Sequence, residues 1–369
     1  MNSGNVFFID YEAKKRNTAG SKAPSDVAEI CRKEGYLQLS MPLFAGKTGS
    51  LYQKLWLLTV GTAAWYKNAY HITKGAIVFY QHPSYGMRTA KRFLRHLQKK
   101  KNCKLIVLIH DLESLRGGIQ GVIQSNRRTS RIADNEFLKS FDAVICHNEH
   151  MREYLLRQGF RPERLVSLEL FDYLTNAIPK PHTDNCSPSV VIAGNLAPGK
   201  CGYLYKIFDG NSNSGLTVNL YGNGFDDSYA GHGLIWRGSF PPESLPELLK
   251  GDYGLVWDGP SAETCAGNTG AYLRFNNPHK TSLYLVSGIP VIVWSKAAIA
   301  DFVLAHNVGI TIDSLYELKT AISSVSPEKY RQMSANANIL SAELKDGLFF
   351  RRALQKAFSV LQTETESHL

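Results

Sequence analysis

No two aspartates in the chain stand one residue apart, so the Asp-x-Asp pair that commonly holds a divalent cation at a strand end is missing. Asp226 and Asp227 are adjacent rather than spaced, in a stretch that reads as a turn. Cys-x-x-Cys is absent too: the six cysteines, at 31, 103, 146, 186, 201 and 265, lack the spacing of a zinc site or a disulfide framework. A site without metal and a reducing, cytosolic setting are the expectations. Long apolar runs are also lacking. The most apolar stretch, residues 55–66, has 12 residues between Lys54 and Lys67, against the about 20 of a membrane span. The N-terminus shows neither the basic flank nor the apolar core and cleavage site of a secretory leader. These features predict a soluble cytoplasmic protein, peripheral at the inner face of the cell membrane at most, with homo-oligomerisation left open.

What the chain does have is length and positive charge. Its 369 residues, 44% of them apolar, exceed what one core usually organises, so two domains of about 150–200 residues are expected. The net charge of +10 suits nucleic acid, an anionic membrane surface or phosphorylated small molecules. Eight Lys and Arg fall between Arg88 and Lys104, where Phe93, Leu94 and Leu97 add an apolar stripe at helical spacing. This basic amphipathic helix reads as a solvated face packed on a sheet, or as a surface for anionic lipid head groups. No recognition motif accompanies the charge, so nucleic acid is not an expected partner.

Short β-branched or aromatic runs alternate with helical patterns, the signature of parallel sheets covered by helices. In the first half the spacing predicts strands over 6–10, 76–80, 104–110 and 142–147, and helices over 25–34, 88–100, 127–140 and 150–158. Pro24 and Ser25 suit the start of the first helix. Three prolines in the eleven residues 178–188 interrupt the pattern. It restarts with strands over 189–193, 217–221, 234–237, 253–257 and 290–294. The predicted architecture is α/β: a doubly wound domain over 1–178, a linker over 179–188 and a second such domain over 189–345. A helix and polar tail over 346–369 are free to cross back to the first domain.

Ligands in open α/β sheets bind outside the carboxyl ends of the strands. There the second domain places Gly194-Asn195-Leu196-Ala197-Pro198-Gly199-Lys200 and Gly222-Asn223-Gly224. Glycines let a phosphate approach the backbone, although Gly222-x-Gly224 lacks the third glycine of a dinucleotide fingerprint and either loop could be an ordinary turn. A stronger signal is Asn277-Pro278-His279-Lys280-Thr281-Ser282, running through an apolar stretch to Gly288. Pro278 breaks the loop and Thr281 or a neighbour opens a helix, so Lys280 and the first-turn amides converge on a spot suited to a diphosphate. Asp258 and Glu263 follow a buried strand and could accept hydrogen bonds from sugar hydroxyls or cap a helix.

Several of these stretches resemble the bacterial β-1,6-galactofuranosyltransferases of O-antigen and polysaccharide assembly. They include Ile109-His110-Asp111, Leu115-Arg116-Gly117-Gly118, His147-Asn148, Phe171-Asp172-Tyr173-Leu174, Ala193-Gly194-Asn195-Leu196, Lys200-Cys201, residues 255–259, residues 276–285 and residues 297–302. The likeness runs from about residue 19 to about residue 352. A weaker one, around Lys280 and Gly288-Ile289-Pro290-Val291-Ile292-Val293, reaches the glucosyltransferases that elaborate glycans on serine-rich adhesins. Both imply a GT-B fold, two Rossmann-like domains facing each other across a cleft, with the donor on the C-terminal domain and the acceptor on the N-terminal one.

The resemblance implies an inverting, UDP-sugar-dependent hexosyltransferase without a cofactor, the UDP-sugar being a co-substrate. Galactofuranose is the first expectation for the donor sugar, UDP-glucose or another UDP-hexopyranose the alternative. The acceptor is an oligosaccharide or a lipid-linked saccharide. A non-catalytic partner of another transferase is the reading from a different class. Asp111 is the first candidate for the base that activates the acceptor hydroxyl, with Glu113 as alternate. Gly194, Asn195, Lys200, Gly222, Asp258, Glu263, Asn277, His279, Lys280, Thr281 and Ser282 are the donor candidates. Lys22, in a loop that could close over the acceptor, and His82 and His110 are the acceptor candidates.

Overall fold

The computed structural model describes residues 5–11, 19–44, 50–83, 87–116, 136–178, 188–231 and 233–366. All of the expected linker but Pro188, most of the expected helix 127–140 and Cys186 lie outside the described residues.

Two parallel sheets of six strands form the frame. The first contains β1 (Val6–Tyr11), β2 (Leu37–Met41), β3 (Ile77–His82), β4 (Lys104–Ile109), β5 (Ala143–Cys146) and β6 (Leu165–Ser167), in the order β2-β1-β3-β4-β5-β6. The second contains β7 (Ser189–Ala193), β8 (Thr217–Tyr221), β9 (Leu234–Gly238), β10 (Tyr253–Val256), β11 (Val291–Trp294) and β12 (Gly309–Ile312), in the order β12-β11-β10-β7-β8-β9. Strand β11, and β4 after its first residue Lys104, are apolar because helices cover both faces. The direction of winding reverses between β1 and β3 and between β7 and β10. At each reversal neighbouring loops diverge and leave a crevice at the strands' carboxyl ends.

Three strands go beyond the expected set: β2, β6 and β12. Their mixed or very short sequences, Leu-Gln-Leu-Ser-Met, Leu-Val-Ser and Gly-Ile-Thr-Ile, carry little signal alone, and each is an edge strand recruited by a single neighbour. The first helix runs Ala19–Lys33, so Pro24 lies inside it rather than at its start. Tertiary contacts hold that early turn. Asp26 accepts the Leu174 amide at 3.0 Å while Lys22, ion-paired with Asp26, donates to the Leu174 carbonyl at 2.6 Å.

The C-terminus returns to the first domain. The helix Pro327–Asp346 ends at Gly347 in the left-handed conformation (φ 78°), where a side chain would strike Ile30. From that turn the helix Leu348–Glu366 lays Phe350, Ala353, Leu354, Ala357 and Leu361 on Phe8, Phe79 and Ile106 of the first sheet. Asp172 caps it, accepting the Phe349 and Phe350 amides at 3.2 and 2.7 Å.

A second join is polar. The buried Asn277 carboxamide donates to the carbonyls of His147 (2.7 Å) and Glu169 (2.9 Å) and accepts from Asn148 Nδ2 (2.7 Å). Its backbone amide donates to His147 Nδ1 at 2.9 Å. All these partners belong to the first domain. Asn277→Leu keeps the branched outline but removes three side-chain hydrogen bonds and strands buried partners. The expected loss is about 3 kcal/mol, read as a lowered denaturant midpoint; a midpoint equal to that of the unaltered chain would show that the join contributes nothing.

Candidate active site in the interdomain cleft

The loops after β7, β8 and β10 open toward the first domain and line two adjoining chambers, of about 730 and 300 Å³. Gly194, Asn195, Lys200, His279, Lys280 and Arg116 border both. The glycine loops support each other: a side chain on Gly222 (φ 144°) would sit 1.7 Å from the Gly194 carbonyl oxygen, so only glycine lets them meet. The Leu196 amide donates to the Asn223 carbonyl at 2.9 Å and fixes the pair.

Lys280 lies in the first turn of the helix His279–Val286, which opens two residues before the expected Thr281. Its ammonium donates to the Trp257 carbonyl at 2.9 Å and lies 3.4 Å from the Asp258 carboxylate. Two of its three donors are thereby directed and the group is held at the cleft wall. Lys200 and Arg116 add cationic charge to the same space.

Other expected donor contacts have different partners. Asn277 forms the domain join described above. Ser282 is buried and donates to the Phe171 carbonyl at 2.6 Å, and Thr281 is buried beneath it in the same turn. Glu263 is exposed, outside both chambers, beyond a turn in which its amide bonds Ser261 Oγ at 3.1 Å. His279 does border the cleft, stacked on Tyr173 at 5.0 Å with Nε2 3.3 Å from the Asp172 carbonyl.

On the N-terminal wall, Asp111 follows β4 and lines the smaller chamber with Lys200, Asp258 and Lys280. Burial pushes its carboxyl above the ordinary range, against the pull of Arg116, whose Nη1 donates to it at 2.9 Å. The Tyr272 hydroxyl, from the other domain, accepts the Leu112 amide at 2.9 Å and bonds the same carboxylate. Glu113 is more exposed and stands 3.8 Å from Arg116. Arg116 therefore touches both candidate bases.

His110, His147 and His279 are buried and neutral. Burial pulls His110 down to about 3 and His147 and His279 each to about 4. His110 stacks on Phe171 at 5.4 Å and bonds Gln81 at 2.7 Å, at the edge of the smaller chamber. His82, expected against the acceptor, is fully buried beside Phe137 in the first core. Lys22, expected on a mobile loop, is helical and buried, ion-paired with Asp26 and over the Tyr173 ring at 4.6 Å. Residues 12–18 of that loop lie outside the described residues.

Arg116, Tyr173, Tyr272 and Phe240 contribute to the site without having been candidates. Arg116 stands in the stretch Leu115-Arg116, but its sequence neighbours give no sign that it reaches the opposite domain. Tyr272 and Tyr173 look like core aromatics in sequence, and only the domain arrangement brings them to the cleft. Asp226 accepts from Ser228 in an exposed turn, the turn expected for that stretch. Among the described residues no three His, Cys, Asp or Glu side chains converge as a metal site.

Residues 5–170 match the model of the glucosyltransferase 3-like N-terminal domain, and residues 190–357 that of the glucosyltransferase 3-like C-terminal domain. The chain is 30% identical to β-1,6-galactofuranosyltransferase WbbI of Escherichia coli K12, over 97% of this chain and all of that one. It is 28% identical to glucosyltransferase 3 of Streptococcus gordonii, over 90% and 92% of the two chains. The fold is that of Anabaena Alr3699/HepE solved with UDP-glucose, at a TM-score of 0.61 and 14% identity, covering 98% and 99%. The two facing Rossmann-like domains are those of the GT-B fold. With one family's models matching both halves and a relative at 30% identity spanning nearly the whole chain, this protein belongs to the glycosyltransferase family of glucosyltransferase 3 and β-1,6-galactofuranosyltransferase WbbI.

Proposed function

We propose that this enzyme transfers galactofuranose from UDP-galactofuranose, with inversion, to a hydroxyl of an oligosaccharide or lipid-linked saccharide. One observation carries the chemistry: Asp111 and Lys280, from different domains, line the same 300 Å³ chamber. A carboxylate lifted by burial there faces cations that suit a departing diphosphate. The choice of sugar rests on the β-1,6-galactofuranosyltransferase named among the relatives, which spans nearly the whole chain.

In this reading the larger chamber takes the nucleotide, with Gly194, Gly222 and Asn195 against its phosphates and Lys280, Lys200 and Arg116 supplying positive charge. Asp258 orients Lys280. Asp111 removes the proton from the acceptor hydroxyl as that oxygen bonds the anomeric carbon. The bond to the diphosphate breaks on the opposite face, and UDP leaves with the electron pair. A single displacement gives the β-linked product from an α-linked donor. The three cations supply the charge that a divalent ion would otherwise bring, so we propose turnover without added metal. UDP-glucose is the second reading, supported by the glucosyltransferase relative and by the neighbour solved with UDP-glucose.

A panel of UDP-sugars, assayed for UDP release with glycoside acceptors in the presence and absence of EDTA, decides between them. Transfer from UDP-galactofuranose that EDTA leaves intact is expected. Transfer from UDP-glucose alone would hand the role to the second reading, and UDP release by no donor would favour a non-catalytic partner. Lys280→Ala is expected to weaken donor binding about tenfold to a hundredfold, read by calorimetry with UDP, because a charge-assisted contact is lost. Asp111→Asn is expected to lower kcat by at least about a hundredfold with UDP affinity kept; unchanged turnover would remove Asp111 from the mechanism.

The pH dependence follows from the direction of its shift. Only the deprotonated carboxyl serves as a base, so kcat/KM should fall as pH drops through a value above the ordinary carboxylate range. That acid limb should vanish in Asp111→Asn. An acid limb retained in the variant would point to another base.

A further inference from the structure

Between Glu34 and Asp111 the chain has no acidic residue: these 76 positions hold 12 Lys and Arg, more positive charge than the +10 of the whole protein. The stretch includes two helical segments that cover the same face of the first sheet. Trp65 and Ala69 of the first, and Phe93, Leu94 and Leu97 of the second, share one core with Phe7, Val78 and Leu105 of the strands. Trp65 and Phe93 touch with ring centroids 4.5 Å apart. Lys101 locks the two together by donating to the carbonyls of Ala69 (2.6 Å) and Ile72 (2.5 Å). Their outer sides therefore point away from the sheet in one direction.

Those outer sides differ in chemistry. The first segment, running through Leu51–Trp56, Leu57–Gly61 and Thr62–His71 without a break, exposes large apolar and aromatic side chains. No residue of its first six is buried. Tyr52 is 77% exposed and Tyr70 86%, and Leu55, Leu58 and Tyr66 are exposed between them. The second, Met87–Lys101, turns Arg92, Arg95, His96, Lys99 and Lys100 outward. So large an apolar surface on an outer face marks an interaction site.

We propose that this two-helix face docks on an anionic lipid bilayer, its leucines and tyrosines entering the head-group boundary and its lysines and arginines meeting lipid phosphates. Aromatic rings favour that boundary and clustered cations are drawn to negative head groups. The charge pattern selects this occupant. A second copy meeting the face about a two-fold axis would bring cation against cation with no carboxylate in between. Among the described residues no helix is long and apolar enough to cross a membrane, so the contact is with one leaflet. The first helical segment follows β2, so it begins at the carboxyl edge of the sheet, where the cleft opens. Docking brings the cleft mouth toward the bilayer surface, and where the acceptor is lipid-linked, which rests on the function proposed above, it presents enzyme and acceptor at the same height.

The test is sedimentation of the full chain with vesicles of phosphatidylcholine alone or with about one-third phosphatidylglycerol. Binding is expected only to the anionic vesicles, and about tenfold weaker when NaCl rises from about 0.1 to about 0.5 M. Two variants, Leu55→Ser/Leu58→Ser/Tyr66→Ser/Tyr70→Ser and Arg92→Gln/Arg95→Gln/Lys99→Gln/Lys100→Gln, should each weaken it at least about tenfold. All eight side chains lie outside the cleft, so the unfolding temperature and UDP-sugar turnover on a soluble glycoside should stay as they are. Equal binding to neutral vesicles, binding that survives both variants, or no binding by the folded, active chain overturns the proposal. So does a dimer that the serine variant alone converts to monomer, which would assign the face to a second copy, or duplex DNA that competes with vesicles and ignores the serine substitutions. Turnover on soluble glycosides is read separately, so failure of docking and failure of the transferase reading are distinguishable.

Discussion

The Asn277 carboxamide satisfies two carbonyls and an amide of the opposite domain from a position with 3% exposure. A buried amide tolerates few other arrangements, because each unmade hydrogen bond leaves a desolvated polar group. That constraint fixes where the loop preceding the helix His279–Val286 meets the first domain. Lys280 is three residues further on, and Ser282 ties the same helix to the Phe171 carbonyl. The distance between Lys280 beside the glycine loops and Asp111 on the other wall is set by these bonds together with the returning helix Leu348–Glu366. The geometry of the cleft depends on side chains whose polar atoms are spent on the contact between the domains.

Buried ionisable groups crowd this junction, and their effects on stability oppose each other. His110, His147 and His279 have values of about 3 to 4 in the folded chain, below the 6.5 of a free imidazole. The unfolded chain binds the more protons between those limits, so their contribution weakens as pH falls from 6.5 toward 4. Asp26 and Asp172 are raised by burial to about 6 and about 7. For them the folded chain binds more protons, and stability is lost as pH rises through that range. Near pH 6 the two sets partly cancel. The two helix amides that Asp172 accepts pull its value down against that burial.

Much of this architecture was legible in the residues. Strand β11, and β4 after its first residue, are continuous apolar runs because helices cover both their faces, and a run of that kind is visible without coordinates. Of the four edge strands, only β9 was visible. Ser40 and Gln38 interrupt β2, and β6 is only three residues long, so their pairing partners make them strands. The segment 51–71 escaped because its apolar residues face outward as well as inward, which erases the periodicity a packed helix would show. Within the candidate site, the glycine loops could be read from their place after strands, and Lys280 from the proline and helix start beside it. Asn277, Thr281 and Ser282 have the composition of ligand-binding residues, but their polar atoms face the other domain or the protein interior. Whether a polar side chain serves a ligand or a domain contact depends on which surface it meets, and local sequence does not specify that.

Arg116 makes the same point from the other side. Its guanidinium touches Asp111 at 2.9 Å and Glu113 at 3.8 Å, and borders both chambers with Lys280 and Lys200. A cation there can keep a carboxylate ionised or meet a diphosphate, and the two tasks compete for the same donors. An approaching phosphate would draw the guanidinium from Asp111, and the carboxylate, already raised by burial, would lose its main charge partner. Losing that partner raises its proton affinity further. Donor binding would thus strengthen the base at the moment an acceptor hydroxyl has something to attack, coupling the two walls through one side chain.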